Sequence, residues 1–226
     1  ANIDRISQIQ TRDTGKTLRE TAILASSASG TFRYFGALLE SSDDLLTAQR
    51  NDSLTMSVYE PLGLVSAITP WNSPIASDAQ KVAPALAAGN AVLLKPSSWS
   101  PLVSLELAKL VESSGLPKGL FSVLPGSGEK VGNLLVEHPD ISKVTFTGST
   151  KTGRSLAIKA AKKLMPISLE LGGKSPVIVF KDSDIDIAIA GVMFGIFSST
   201  GQSCIAGSRL FVQKETRFAE QIPCFC

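Results

Sequence analysis

The stretch GLVSAITPWNSPIASDAQKVAPALAAGNAVLLK, residues 63–95, decides the fold class of this chain. It begins and ends with short apolar runs, residues 63–69 and 91–95, and each run predicts a strand. Residues 78–88 between them have the apolar spacing of a helix. Because the two runs are continuously apolar, both faces of the sheet are expected to be covered, and the strand–helix–strand order indicates that the strands are parallel.

The same alternation continues as far as residue 197. Further strands are predicted at residues 120–125, 143–148, 166–171 and 176–180, and helices at residues 101–114, 129–137, 149–162 and 185–197. A long helix over Lys16–Glu40 and an alternating strand over Leu54–Glu60 precede this region. The whole pattern predicts an α/β fold, with a doubly wound, mainly parallel sheet and helices on both faces.

Composition excludes several classes of function. The chain has 226 residues, of which 43% are hydrophobic and 19% charged, as in an ordinary globular protein. Its 22 basic and 20 acidic residues give a net charge of +2, which offers no field for nucleic acid or anionic lipid. The uncharged segment from Ile187 to Ser208 is apolar only over its first half, so it predicts a buried helix and not a membrane span. No secretory signal is recognisable, and a cytoplasmic protein is expected.

Metal and disulfide chemistry is not expected. Cys204, Cys224 and Cys226 cannot form a disulfide framework, and the final segment RFAEQIPCFC has no helical or strand period. His138 has no cysteine or histidine at the spacing of zinc ligands and is expected to be a surface residue. A serine hydrolase is disfavoured because the GxSxG motif is absent.

Polar and glycine-rich segments follow five of the predicted strands. Sheets of this kind bind ligands at the carboxyl ends of their strands. The five segments are TPWN (69–72), KPSS (95–98), PGSG (125–128), FTGSTKTG (146–153) and LELGGKSP (169–176). A sixth segment, GQSCIAGSR (201–209), follows a helix and contains Cys204. The chemistry is therefore expected in these six segments.

Two of these segments have features of phosphate sites. Gly148 and Ser149 open a predicted helix, whose free backbone N–H groups suit a phosphate, although the same residues would serve equally as a simple helix cap. The segment PGSGEKVG comes close to the dinucleotide-binding fingerprint, but its third glycine, Gly132, is one residue late.

Lys95 ends an apolar strand and precedes a proline, so its ammonium group is expected to point out of the carboxyl end of the strand. There it would hold a ribose hydroxyl or a phosphate; a solvated lysine at a strand end is the alternative. In nicotinamide-binding folds an acidic group near the adenine ribose binds the 2′-hydroxyl and repels a 2′-phosphate. Ser98 lies close by in the sequence and carries no charge.

A cysteine nucleophile, a glutamate base and a dinucleotide site together suggest covalent chemistry coupled to hydride transfer. Cys204 lies in a loop rich in glycine and serine that permits close approach of a substrate, although a lone cysteine is more often a small buried apolar residue. Glu170 lies between two leucines, a setting that tends to raise the pKa of a carboxyl group into the range of a general base. Asn72 offers an amide donor for a developing oxyanion.

The segments TPWN, LLKPS, FTGST, LELGGKSP and GQSCIAGSR occur in the order seen in the aldehyde dehydrogenase superfamily, which the chain resembles from about Thr11 to Gln213. LELGGKSP and GQSCIAGSR are highly specific for that family. The resemblance implies that Cys204 is the nucleophile, Glu170 the base and Asn72 the oxyanion donor. It implies oxidation of an aldehyde to a carboxylic acid by NAD or NADP, through a thiohemiacetal and a thioester on the cysteine. The residues that it assigns to the cofactor are Thr69, Trp71, Lys95, Ser98, Gly126, Gly148, Ser149, Gly153, Leu171 and Gly172.

The chain departs from the family pattern in two ways. The family commonly has a glutamate where this chain has Ser98, and the loss of that carboxylate predicts that NADP is tolerated. Family members are roughly twice as long, so a fragment is expected. Residues 1–173 would be an incomplete cofactor-binding domain that includes part of an oligomerisation strand at 54–60, and residues 174–226 would begin the catalytic domain. The tail from Lys214 fits the family poorly.

Three functions stay open on the sequence. The first is an aldehyde dehydrogenase acting on a small-molecule aldehyde, whose full-length form is a homodimer or homotetramer. The second is a relative that transfers the acyl group to coenzyme A or phosphate, against which Glu170 argues. The third is a non-catalytic cofactor-binding fragment.

Overall fold

The computed structural model describes residues 2–50, 52–214 and 216. The chain divides into two compact units, a first that ends at Glu170 and a second that begins at Leu171. The segment RFAEQIPCFC, with Cys224 and Cys226, lies outside the described residues. In the described part of the chain no helix combines the length and the apolar character needed to cross a bilayer.

The first unit alternates strands and helices over most of its length. A π-helical turn, Gly128–Gly132, leads directly into its fifth α-helix. Its last strand, β7, ends at the boundary between the units. The elements in chain order are α1 (Ile3–Thr14), α2 (Leu18–Glu40), β1 (Leu45–Arg50), β2 (Ser53–Ser57), β3 (Leu64–Ile68), α3 (Pro74–Ala87), β4 (Ala91–Lys95), α4 (Leu102–Ser113), β5 (Phe121–Val123), α5 (Asn133–Glu137), β6 (Ile141–Gly148), α6 (Thr150–Ala161) and β7 (Ile167–Leu171).

The central sheet has the strand order β5-β4-β3-β6-β7. β3 pairs in parallel with β4 and with β6, and β4 pairs in parallel with β5. The chain therefore runs outward from β3 to β5 and then returns to the other side of β3 with β6. This reversal creates a topological switch point between β3 and β6, which is where open α/β sheets bind their ligands. The predicted doubly wound, mainly parallel sheet is confirmed.

Helices cover both faces of this sheet. α3 packs on Val92 and Leu94 of β4. Leu93 points to the opposite face, since successive side chains of a strand alternate, and it lines a cavity together with Leu134 and Leu135 of α5. This two-sided covering explains why the strands read as continuous apolar runs.

The helices α1 to α4 bury a shared apolar layer. α2 begins at a capping box in which the side chain of Thr17 accepts a hydrogen bond from the backbone of Glu20, and the side chain of Glu20 accepts one from Thr17 in return. Small side chains on α2 let the helices approach closely, and each large aliphatic side chain buried here contributes about 2 kcal/mol. The buried members of the layer are Ile6, Ala25, Ala28, Ile75, Ala79, Val103 and Leu107.

β1 and β2 form an antiparallel hairpin, in which Leu46 lies opposite Met56. All five residues of β2 are exposed, and the strand ends at Ser57, three residues before the end of the predicted strand Leu54–Glu60. β1 was not predicted, and neither was α1. The hairpin leaves Leu45, Leu46, Leu54 and Met56 each more than 60% exposed.

The second unit contains β8 (Pro176–Val179), α7 (Ile185–Phe197), a 3₁₀ turn at Ser198–Gly201 and β9 (Arg209–Val212). β8 and β9 pair in parallel, and β9 was not predicted. α7 begins where the side chain of Asp184 accepts a hydrogen bond from the backbone of Ile187, at 3.0 Å. The prediction that this helix is buried is wrong, because none of its residues is buried. The uniformly apolar sequence therefore predicted the helix correctly but not its exposure to solvent.

Candidate active site

Three predicted segments come together at one edge of the central sheet. Thr69–Asn72 follows β3, Lys95–Ser98 begins at the end of β4, and Gly148–Ser149 lies at the end of β6. Because these strands are adjacent and parallel, their carboxyl ends share one edge at the switch point. The segment Pro125–Gly128 follows β5, the next strand along.

Lys95 is held inside the protein at this edge. It is 3% exposed, and its ammonium nitrogen donates a hydrogen bond to the carbonyl of Pro96 at 2.8 Å. Burial lowers its pKa below the ordinary value of 10.5. The alternative of a solvated lysine at a strand end is thereby excluded. The ammonium group of Lys95 is a buried hydrogen-bond donor at the carboxyl end of β4.

The loops after β3 and β4 touch through their tryptophans. The rings of Trp71 and Trp99 lie 5.9 Å apart between centroids at an angle of 42°. Thr69 is buried and donates its backbone N–H to the carbonyl of Lys95 at 3.1 Å. Ser98 is exposed beside the pair. A ligand at this edge would meet an aromatic wall, a buried lysine and an uncharged hydroxyl.

Two glycines of the predicted cofactor segments have no room for a side chain. A Cβ at Gly148 would lie 2.5 Å from the ring of Phe146, and one at Gly126 would lie 2.5 Å from the side chain of Val131. A larger residue at either position would therefore displace the neighbouring side chain, which favours glycine.

Ser149 caps the helix that follows β6. Its hydroxyl accepts a hydrogen bond from the backbone of Thr152 at 3.2 Å, and Gly153 is buried in the first turn of α6. The cap and an anion site are compatible, because α6 has 12 residues and no acidic side chain in its first turn.

Glu170 does not lie in the apolar setting that its neighbours in the sequence suggest. It is exposed on β7, whereas Leu169 and Leu171 are half-buried. The reason is the alternation of a strand, which sends the leucines to one face and the carboxylate to the other. The expectation of an apolar environment for Glu170 is wrong for this chain.

Lys81 is a functional candidate that the sequence motifs missed. It is 9% exposed on α3, and its ammonium nitrogen donates to the hydroxyl of Thr145 at 3.0 Å. Burial lowers its pKa, while the negative charges of Glu170 and Asp78 act in the opposite direction. The positive charge of Lys81 therefore lies close enough to Glu170, the predicted base, for the two charges to interact. The one signal in the sequence is that Asp78 and Lys81 are the only charged residues of α3.

Asn72 and the remaining predicted residues divide between the two units. Asn72 is half-buried in the loop after β3, in the first unit. Leu171 is half-buried and Gly172 is exposed, both at the start of the second unit. Cys204 also belongs to the second unit.

Cys204 lies exposed in a loop of unusual backbone geometry. Ser199 and Thr200 have φ angles of 57° and 55°, in the left-handed region that costs about 1 kcal/mol or more per non-glycine residue. Gly207 lies so close to Val177 of β8 that a Cβ there would collide with that side chain. Strained turns of this kind concentrate at functional sites, and the exposed thiol is not the small buried side chain of the alternative interpretation.

No metal site is formed by the described residues. No three histidine, cysteine, aspartate or glutamate side chains among them lie close enough together to hold an ion. His138 is exposed, with its Nδ1 3.9 Å from a carboxylate oxygen of Asp140.

The edge residues fit a dinucleotide. The capped amino terminus of α6 suits a phosphate, and Gly148, which precedes it, has no side chain to block the approach of one. Lys95 supplies a buried hydrogen-bond donor at the same edge. Thr69 adds a buried hydroxyl without a hydrogen-bond partner of ordinary geometry among the described residues.

Comparison with known proteins agrees with this arrangement. A family model described as the aldehyde dehydrogenase family matches residues 1–222. A betaine aldehyde dehydrogenase from Agrobacterium fabrum is 45% identical over 225 residues, covering 97% of this chain and 45% of the relative.

Two solved structures superpose closely on the chain. An NAD-dependent aldehyde dehydrogenase from Sinorhizobium meliloti has a TM-score of 0.92 at 35% identity, covering 96% of this chain and 44% of the other. A point variant of a betaine aldehyde dehydrogenase from Staphylococcus aureus, in complex with NAD+ and with a BME-modified cysteine, has a TM-score of 0.91 at 36% identity, covering 94% and 43%. The chain thus spans less than half the length of each of these relatives.

Proposed function

Because the chain belongs to the aldehyde dehydrogenase family, we propose that its residues carry the cofactor site and the reacting groups of an enzyme that oxidises an aldehyde to a carboxylic acid. The observation that supports this most directly is the set of loops after β3, β4 and β6, gathered at the switch point of a parallel sheet. We further propose that residues 1–173 are an incomplete cofactor-binding domain and that residues 174–226 begin the catalytic domain.

Cys204 is the nucleophile of the proposed reaction. Its thiolate adds to the aldehyde carbon, the C=O double bond becomes a single bond, and the resulting oxyanion is stabilised by the side-chain amide of Asn72 and the backbone N–H of Cys204. The exposure of the thiol and the strained turn before it support this role.

Glu170 is the base for the second half of the reaction. After the hydride has left, the acyl group is held on Cys204 as a thioester, and Glu170 takes a proton from the water that attacks it. Water supplies the oxygen of the acid, and the thiolate leaves.

NAD, when bound, supplies the acceptor for the hydride. The residues that would hold it are those of the sheet edge, with Lys95 at a ribose or phosphate and Gly148 and Ser149 at the pyrophosphate. The other proposed contacts are Thr69, Trp71, Ser98, Gly126, Gly153, Leu171 and Gly172.

The division of labour between Cys204 and Glu170 is tested by pre-steady-state kinetics on the full-length protein. Glu170→Gln is expected to retain a burst of reduced nicotinamide while steady turnover falls about a hundredfold, because only thioester hydrolysis needs the base. Cys204→Ser is expected to lose both burst and turnover. Loss of the burst in Glu170→Gln as complete as in Cys204→Ser would overturn these roles.

We propose in addition that NADP is tolerated, because Ser98 is exposed and uncharged beside the predicted ribose contacts. Ser98→Glu is expected to lower kcat/KM for NADP by about tenfold or more with little effect on NAD, since a carboxylate repels a 2′-phosphate. Ser97→Glu, one residue earlier, is the matched control. A strong preference for NAD before any substitution would contradict the proposal.

Two alternatives are separated from the proposed function by their products and by turnover. A relative that transfers the acyl group to coenzyme A would give an acyl thioester as product, whereas the function proposed here gives a free acid. A non-catalytic fragment would bind NAD without turnover when this chain is assayed alone.

The exposed β1–β2 hairpin supports assembly of the full-length protein as a homodimer or homotetramer, and sedimentation measures the number of subunits.

A further inference from the structure

The loops after β3 and β4 are joined by contacts that do not involve any ligand. The hydroxyl of Ser100, 1% exposed, donates to the carbonyl of Trp71 at 3.0 Å. The ring of Trp71 packs on the ring of Trp99. The backbone N–H of Thr69 donates to the carbonyl of Lys95. The two loops therefore behave as one polar and aromatic layer.

The helices behind the loops are joined by a buried carboxylate. Asp78 of α3 and Ser104 of α4 are both fully buried, and the Ser104 hydroxyl donates to the Asp78 carboxylate at 2.5 Å. α3 begins directly after the loop Thr69–Asn72, and α4 begins directly after the loop Lys95–Ser100. Asp78 and Ser104 therefore join the two helices that follow the two loops.

This carboxylate is costly to bury. Burial raises the pKa of Asp78 to about 6, although the hydroxyls of Ser104 and Thr69 and the positive charge of Lys81 act in the opposite direction. The ammonium group of Lys81 donates instead to Thr145, so the Ser104 hydroxyl is the hydrogen-bond donor to this carboxylate among the described residues, and the Oδ1 atom of Asp78 has none. A neutral side chain of the same shape would give a more stable protein, which argues for a role other than stability.

We propose that Asp78 is a positioning residue for the cofactor site, which fixes the loop Thr69–Asn72 against the loop Lys95–Ser100 by joining the helices that follow them through its hydrogen bond with Ser104. The inference rests on the proposed function, since that function assigns the cofactor to these loops. When the carboxyl group is protonated it becomes a donor on one oxygen and a weaker acceptor on the other, so its hydrogen bond with the Ser104 hydroxyl weakens.

The two tryptophans of the sequence, Trp71 and Trp99, provide a readout that needs neither cofactor nor turnover. As the pH of the free chain falls from about 8 to about 5, the emission is expected to shift to longer wavelength, with a midpoint near the pKa of Asp78 at about 6. Asp78→Asn is expected to abolish the transition and to show the acid-form emission at every pH.

Two further variants separate Asp78 from other titrating groups. Ser104→Ala is expected to move the midpoint to higher pH, because the hydrogen bond that favours the ionised carboxylate is lost. His138→Gln is expected to leave the transition unchanged, which matters because histidine side chains ordinarily titrate in this range. Persistence of the transition in Asp78→Asn would overturn the proposal.

A titration with NAD+, followed by the same tryptophan emission, tests whether the position of the loops affects binding of the cofactor. Asp78→Asn is expected to weaken binding about tenfold, the effect of losing one charge-assisted hydrogen bond. Glu106→Gln is the matched control, since Glu106 is a buried carboxylate on the same helix as Ser104 but is paired with Arg5 of α1 at 2.8 Å.

The outcomes separate this inference from the proposed function. Unchanged NAD+ affinity in Asp78→Asn would overturn the positioning role. Absence of NAD+ binding in the unsubstituted chain, with the emission still dependent on Asp78, would instead overturn the cofactor assignment and leave Asp78 as a determinant of loop position alone.

Discussion

The burial of a single side chain, Asp78, also predicts how the stability of the folded protein depends on pH. Its pKa in the folded state, about 6, lies above the ordinary value of 3.8, so the folded state binds more protons between these values. Its contribution to stability is therefore fully present below about pH 4 and is lost as the pH rises through about 6. At neutral pH the ionised form costs the folded state about 3 kcal/mol.

Asp78→Asn is accordingly expected to raise the free energy of unfolding by up to about 3 kcal/mol above pH 7 and to leave it nearly unchanged below about pH 4. Urea unfolding of both proteins across this range measures the difference. A gain of equal size at both ends of the range would contradict the role of the charge.

The site residues differ in how far the sequence could predict them. Lys95 and Gly148 end their strands and Ser149 follows directly, so their position at the edge of the sheet could be predicted from the sequence. Lys81 could not be found in this way, because its partner Thr145 lies 64 positions further along the chain and the contact exists only in the folded sheet. The exposure of Glu170 could not be predicted from its two neighbouring leucines, because a strand places them on the other face.

At the scale of the element, α7 combines an apolar sequence with an open surface. Phe194 is 75% exposed and Phe197 is 64% exposed, and neighbouring aliphatic residues extend the patch. Contiguous apolar surface of this kind binds hydrophobic dyes and favours association.

Replacing Phe194 and Phe197 together by serine is expected to reduce the fluorescence of a bound hydrophobic dye by about half. Ile158→Ser is the control, since Ile158 is 64% exposed but lies on α6 in the first unit. An equal reduction in that control would show that the dye reports exposed apolar residues in general.

The predicted elements agree with the structure where local pattern and burial coincide. The strands β3, β4 and β6 are covered on both faces and read as apolar runs, and the helices between them show helical spacing. The alternation of residues 54–60 predicted β2, although all five of its residues are exposed, whereas β1 and β9 are short and were not predicted. Each pairs with a partner that only the folded chain defines. α1 is polar apart from isoleucines at every third position, which is a weak signal.

At the scale of the whole molecule, the division at Glu170 has a measurable consequence. Both tryptophans belong to the first unit, whereas helical circular dichroism arises from both units. The buried apolar clusters described above lie in the first unit, whereas α7 of the second unit has no buried residue, so the two units are not expected to unfold in one cooperative transition. The midpoints of thermal unfolding by emission and by circular dichroism are therefore expected to differ by about 5 °C.

Phe194→Trp places a reporter in the second unit and is expected to add the transition that the natural tryptophans do not show. Coincident curves for all probes and both proteins would contradict two cooperative units.

Gly148 finally bears on how sequences of this kind can change over time. Since the ring of Phe146 fills the space where a Cβ would be, the two positions are energetically coupled. A lineage that replaces the glycine first is penalised, while one that first shortens the aromatic side chain gains room for the later change. The order in which substitutions are accepted is thus constrained, and the pair is expected to vary together among descendants or not at all.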